Sequence, residues 1–184
     1  EIGVRLVGSE MCIRDRIKAD QISSIGISYQ MHGLVLVDRD LNPLRKSIIW
    51  CDSRATHFGE KAFEKLGKDY CKDHLLNSPG NFTASKLAWV IENEPELYQK
   101  AHKLMLPGDF LAAKLSGEMQ TTVTGLSEGI FWDFKNDQPS KALFDHYQMD
   151  QSLVPEVVDN FTVQATVSSS GTQATGLKEG TPIT

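Results

Sequence analysis

The sequence predicts an α/β domain built on a mixed sheet flanked by helices. Short β-branched runs such as Ile25-Gly26-Ile27 and Leu34-Val35-Leu36-Val37 alternate with stretches of helical spacing such as Phe58, Ala62, Phe63 and Leu66. Turn chemistry (Asp38-Arg39-Asp40-Leu41-Asn42-Pro43, Pro107-Gly108-Asp109) separates them. Two predicted strands also end in polar clusters, Gln30-Met31-His32 and Cys51-Asp52-Ser53-Arg54. The carboxyl ends of strands in open α/β sheets are where ligands settle.

Composition narrows the function classes. With 40% hydrophobic and 23% charged residues in 184, the chain can bury a core and is not a disordered segment. A net charge of -5 without a lysine or arginine cluster argues against nucleic acid. No apolar run approaches the ~20 residues of a membrane span. Cys12, Cys51 and Cys71 are odd in number and follow no metal or redox spacing, so inert thiols in a reducing, cytoplasmic setting are expected.

In chain order, Glu1–Arg16 (EIGVRLVGSEMCIRDR) resembles translated sequencing-adapter sequence and is set aside as non-native. The domain is therefore expected over 17–184, truncated at both ends. Lys18–Ile22 reads as a helix exit into a buried strand at Ser24–Ser28. Leu34–Val37 and Ser47–Trp50 read as two further strands joined by a hairpin loop. Thr56–Leu66 is helical and stops at Gly67, and Asp69–Leu76 is a second short helix. Thr83 or Ser85 can cap the helix carrying Leu87, Ala88, Val90 and Ile91. Pro95 opens a short helix, Lys103–Leu106 is a strand, and the helix after Pro107 stops at Gly117.

Gln120–Thr124 reads as a strand, with Thr121, Thr122 and Thr124 as strand residues, and Gly125–Gly129 as a loop. Ile130–Phe134 reads as an alternating edge strand or extended segment, Ala142–Tyr147 as a helix and Thr162–Val167 as a strand. Ser168–Thr175 is a weak helix, and the last residues turn into a new strand.

Several stretches together resemble the amino-terminal half of FGGY-type carbohydrate kinases: IGISYQMHG, SIIWCDSR, GNFTASKLAWVIENEPE, LMLPGDFLAAKLSGE and GLKEGTP, in this order. The resemblance implies a ribonuclease-H-like domain of the actin/hexokinase type, with sugar and ATP meeting between two such domains. Within the family the Gln30-Met31-His32 turn is most similar to xylulokinases, which implies ATP- and Mg2+-dependent phosphorylation of D-xylulose to D-xylulose 5-phosphate. Glycerol kinases carry Arg-Glu-type chemistry at that turn, absent here. The helix signature holds at Lys86 and Trp89 and departs at Asn81, where the family prefers Gly or an aromatic residue.

The resemblance makes Gln30, Met31, His32, Trp50, Asp52, Arg54 and Asn81 the substrate-binding candidates. They suit a ketopentose: Gln30, His32 and Asn81 both donate and accept, Asp52 accepts, and Met31 or Trp50 can cover the carbon face. Plainer roles stand beside these. His32 can be a satisfied turn histidine, Met31 and Trp50 core filler, Asp52 with Arg54 a local ion pair, and Asn81 a loop residue. Lys86 and Trp89 are expected to pack, the lysine snorkelling along the helix surface. Asp109 reads as a helix cap or first-turn acid, not a catalyst. His57, His74, His102 and His146 share no zinc spacing.

No phosphate-cradling Gly-rich loop is present, and the family's catalytic Asp is expected beyond Thr184. No catalytic, cofactor or metal residue is therefore assigned. ATP and Mg2+ are expected to bind mainly outside this stretch, and the isolated stretch is expected to be inactive. The alternatives are a sister kinase for ribulose, gluconate or glycerol, and a non-catalytic sugar-binding module. A small-molecule sugar is the expected partner, and the sequence does not report an oligomeric state.

Overall fold

The computed structural model describes residues 17–184. The expectations for Glu1–Arg16 and Cys12 lie outside the described residues. The centre is strand β1, Val35–Val37, paired antiparallel with β2, Lys103–Met105, in the register Val35 to Met105 and Val37 to Lys103. Alternate residues of β1 feed two different clusters. Leu34 and Leu36 pack with Leu87, Leu104 and Phe131, while Val35 and Val37 pack with Leu41, Met105 and Ala113. A strand buried on both faces needs an unbroken apolar run rather than alternation, and Leu34–Val37 supplies one.

Helices cover these faces. Helix α1, Thr56–Leu66, runs on through the short α2, Lys68–Tyr70, into a π-turn at Cys71–Leu75. Helix α3, Thr83–Asn93, is buried nearly all round its first two turns, from Thr83 to Ala88. Helix α4 is Pro95–Tyr98, with proline in the first turn. Helix α5, Pro107–Ser116, closes on Gly117, whose φ of 85° is left-handed and whose N–H returns to the Ala113 carbonyl at 2.7 Å. Three further pairings follow. Strand β3 (Gln120–Thr122) lies parallel to β6 (Glu156–Val158), while β4 (Trp132–Asp133) is antiparallel to β5 (Gln138–Pro139) and β7 (Ala165–Thr166) to β8 (Pro182–Ile183). Helices α6, Val123–Glu128, α7, Lys141–Tyr147, and α8, Ser169–Thr175, complete the α-helices among the described residues, and short 3-10 turns lie at Ala19–Gln21 and Gln151–Leu153.

Several expectations need correction. Ser24–Ser28 contributes only a parallel bridge from Ile25 to Ile183 and is not buried, because it is paired along one side alone. Ser47–Trp50 contributes only the Ile48 bridge to Leu34. Gly125–Gly129 is not a loop, since its first four residues belong to α6, and neither is Thr124 a strand residue. The Thr122 hydroxyl accepts from the Gly125 N–H at 3.1 Å and so converts the strand end into a helix start.

Ile130–Phe134 does not alternate: Ile130, Phe131, Trp132 and Asp133 are all buried. Strand β6 carries no clear pattern and was not anticipated. Neither Thr83 nor Ser85 caps α3; the Ala84 N–H instead donates to the Gly129 carbonyl at 3.0 Å.

Asp109 does cap its helix, accepting from the Leu106 N–H at 3.2 Å and the Thr121 hydroxyl at 2.9 Å. Burial of its carboxyl outweighs these hydrogen bonds and pushes its pKa up to about 6, against an ordinary 3.8. The folded state therefore holds more protons than the unfolded chain between those values, so this contribution is present below the ordinary value and is lost as pH rises through about 6. The stability of the wild type relative to Asp109→Asn should fall between pH 4 and pH 7 in urea unfolding, and a flat difference would refute this account.

Gly59 of α1 meets the 78–81 loop so closely that a Cβ there would lie 1.8 Å from the Gly80 carbonyl oxygen. Gly59→Ala is expected to cost about 1–3 kcal/mol, read as a lower denaturation midpoint. An unchanged midpoint would mean that the loop does not rest on the helix.

Candidate functional site

The Gln30-Met31-His32-Gly33 turn lies between the Ile25 bridge and β1, where the backbone reverses. His32 has a φ of 59°, a left-handed conformation that costs an ordinary L-residue roughly 1–2 kcal/mol. Three groups hold it there. Its N–H donates to Glu128 Oε1 at 2.5 Å, its carbonyl accepts from Lys86 Nζ at 2.7 Å, and its ring meets Phe82 edge-on with centroids 4.1 Å apart. The other carboxylate oxygen of Glu128 accepts from the Tyr29 hydroxyl at 3.2 Å. The turn is thereby tied to the last residue of α6 and to the first turns of α3.

Lys86 departs from expectation. Its side chain does not snorkel; the residue is 0% exposed and reaches beneath the turn. Burial lowers its pKa from the ordinary lysine value, while the charges of Asp52, Cys51 and Glu128 push the other way. Burial likewise lowers the pKa of His32, opposed by Glu128 and assisted by Lys86.

The second wall is built around Asp52. The Trp50 N–H donates to Gln30 Oε1 at 2.9 Å, which joins this wall to the turn. Arg54 grips Asp52 through Nε at 2.9 and 3.0 Å and Nη2 at 2.7 Å, and these hydrogen bonds hold the carboxyl below its ordinary pKa. The Arg54 guanidinium stands 4.7 Å from the centroid of Trp89. Asn81 Nδ2 donates to the Asp52 carbonyl at 2.8 Å, and its Oδ1 is buried with no partner among the described residues.

The structure therefore links Gln30 to Trp50 and Asn81 to Asp52. Met31 and Trp50 are 56% and 57% exposed, so neither is core filler and both can lie against a ligand. An open hollow of about 440 Å3 is lined by Ile27, Ser28, Tyr29, Met31, His32 and Glu128. Gln30, Trp50, Asp52, Arg54 and Asn81 do not line it. A hollow of about 550 Å3 lies elsewhere, against Leu44, Glu94, Pro95, Leu97 and Lys100. Size alone favours the second, but the first carries the convergent polar groups that fix a ligand's orientation.

Sequence reasoning missed Glu128 and Tyr29 and gave Lys86 only a packing role. The one available signal for Glu128 was a carboxylate beside a glycine in the 125–129 stretch. Both carboxylate oxygens of Glu128 are engaged, so it acts as a clamp rather than as an acceptor for a substrate proton. Among the described residues no three His, Cys, Asp or Glu side chains gather as a metal group, and no helix is long and apolar enough to cross a membrane. The arrangement can hold and orient a ligand, since hydrogen-bonding groups surround an exposed thioether and indole.

Known proteins share this framework. The xylulose kinase of Bacillus subtilis (strain 168) is 29% identical over 180 residues, 95% of this chain and 35% of that protein. The crystal structure of xylulose kinase from Rhodospirillum rubrum matches with a TM-score of 0.79 at 22% identity, over 88% of this chain and 33% of its own. That of Plasmodium falciparum glycerol kinase with ADP matches with a TM-score of 0.79 at 22% identity, over 96% and 36% respectively. These likenesses show the ribonuclease-H-like fold. The chain spans about a third of the length of the curated relatives it matches. The profile of the N-terminal domain of the FGGY family of carbohydrate kinases matches residues 5–184, and the chain belongs to that family.

Proposed function

We propose that residues 17–184 form the sugar-holding domain of an ATP-dependent kinase that converts D-xylulose to D-xylulose 5-phosphate in the cytoplasm. The observation that carries the reading is the locked turn: His32 is fixed by Lys86 at its carbonyl and by Glu128 at its N–H, while Met31 and Trp50 remain exposed. A small ketose needs this combination of fixed polar groups and an apolar surface. The name of the Bacillus subtilis relative supports xylulose as the substrate.

In this reading His32, Met31 and Gln30 contact the sugar, and Trp50, Asp52, Arg54 and Asn81 shape the adjoining wall. Phosphoryl transfer needs a carboxylate for the hydroxyl proton, Mg2+ ligands and a phosphate cradle. ATP, Mg2+ and the catalytic carboxylate belong to the remainder of the protein.

A second reading, a sister kinase for another polyol, is supported by the name of another relative, the glycerol kinase of Thermococcus kodakarensis, 28% identical over 152 residues. The whole protein carrying this chain should turn over ATP fastest with D-xylulose when offered xylulose, ribulose, gluconate and glycerol. Preference for another member of that set would replace the substrate, and sugar binding without any ATP turnover would make the protein a binding module. His32→Ala should lower kcat/KM for xylulose by roughly 10–100-fold. Unchanged kinetics would reduce His32 to a structural turn residue.

A further inference from the structure

Glu128 touches His32 with two kinds of oxygen, and they act on different atoms. Its carboxylate takes the backbone N–H and so selects the left-handed turn. Its main-chain carbonyl lies 3.3 Å from His32 Nδ1, with carboxylate Oε1 behind it at 3.7 Å. Both oxygens only accept from the ring, so Nδ1 must carry the hydrogen. The other groups around the residue are the Lys86 ammonium bonded to its carbonyl, the Phe82 ring on its side, and the Tyr29 hydroxyl sharing the carboxylate.

Burial and the Lys86 charge both oppose protonation of the ring, and Glu128 only partly offsets them, so His32 is neutral at pH 7. Nε2 makes no hydrogen bond to any described residue, and His32 lines the open hollow. A neutral imidazole with its hydrogen on Nδ1 carries a bare lone pair at Nε2.

We propose that Glu128 is the positioning residue of this site, fixing the tautomer and rotation of His32 so that Nε2 accepts a hydrogen from a ligand hydroxyl. This assignment rests on the polyol-binding reading above and sharpens its substrate class. A ketose or polyol hydroxyl can donate to Nε2. The carboxylate of a sugar acid cannot, and would place its charge against a lone pair. Discrimination at this point is therefore between a hydrogen-donating and an accepting-only group.

The test uses the 184-residue chain with 15N-labelled histidine, its His32 signals assigned against His32→Gln. Long-range 1H–15N spectra are recorded from pH 5 to 8, alongside titrations of the whole protein with D-xylulose and gluconate. At pH 7 the wild type is expected to show a protonated Nδ1 and an unprotonated Nε2, with a titration midpoint below the ordinary 6.5. In Glu128→Gln, loss of the charge should move that midpoint lower still. Glu128→Ala keeps the main-chain carbonyl but removes the carboxylate that holds the turn against it, so the ring should lose its register with that carbonyl, the tautomers should mix, and xylulose affinity should fall about tenfold.

Unchanged His74 and His146 signals in the same spectra report an intact fold. A wild-type Nε2–H tautomer, an imidazolium at pH 7, or a Glu128→Ala variant with unaltered tautomer and affinity would overturn the proposal. The expected tautomer together with no xylulose binding would uphold the role of Glu128 toward His32 and overturn the polyol reading alone.

Discussion

The burial of one charge organises this structure. An ammonium removed from water must find acceptors, or folding loses several kcal/mol. Lys86 is fully buried, and its Nζ meets the carbonyl of His32. A hydrogen bond from a charged donor contributes about 1.5–3 kcal/mol. That is enough to offset the roughly 1–2 kcal/mol that His32 spends in a left-handed conformation. The strained turn and the buried lysine are thus each other's solution. Glu128 completes the arrangement by supplying a negative charge above the same residue.

The scaffold makes this possible by being dry on both sides of β1. Leu34 and Leu36 close the face toward α3, and Val35 with Val37 close the face toward α5. With water excluded on that side, α3 can carry Thr83, Ser85 and Lys86 inward only because each finds a partner. The Thr83 hydroxyl donates to the Gly33 carbonyl, the Ser85 hydroxyl reaches the Pro79 carbonyl and Tyr147, and Lys86 reaches His32. The polar inner side of α3 is thereby matched to backbone carbonyls of the two loops that shape the site.

Where one local rule dominated, the sequence was legible. Thr56–Leu66 ends where Gly67 stands, α5 is bracketed by Pro107 and Gly117, and the turn after β1 follows from Asp38 and Asn42. Legibility failed where a distant partner decided the outcome. Gly125 and Gly129 suggested a loop, but Thr122 and the burial of Leu126 wind that stretch into helix. Ile49 and Trp50 looked like strand residues, yet only Ile48 has a partner. The polar turn at residues 30–32 was readable from its own residues. Its supports were not, because Lys86 and Glu128 are 54 and 96 residues away along the chain from the His32 atoms they hold. A lysine on a helix ordinarily reads as solvated, and only its tertiary partner reverses that.

Gly129 adds a mechanical meaning to these contacts. Its carbonyl receives the Ala84 N–H at the start of α3, while its neighbour Glu128 grips His32 and, two residues further along α3, Lys86 grips the same residue. The helix start, the end of α6 and the turn therefore form a closed triangle of hydrogen bonds with no free vertex. A triangle cannot shear without breaking a side. A ligand arriving at His32 would meet a recognition surface already ordered before contact, and little of its binding energy would be lost to arranging the protein.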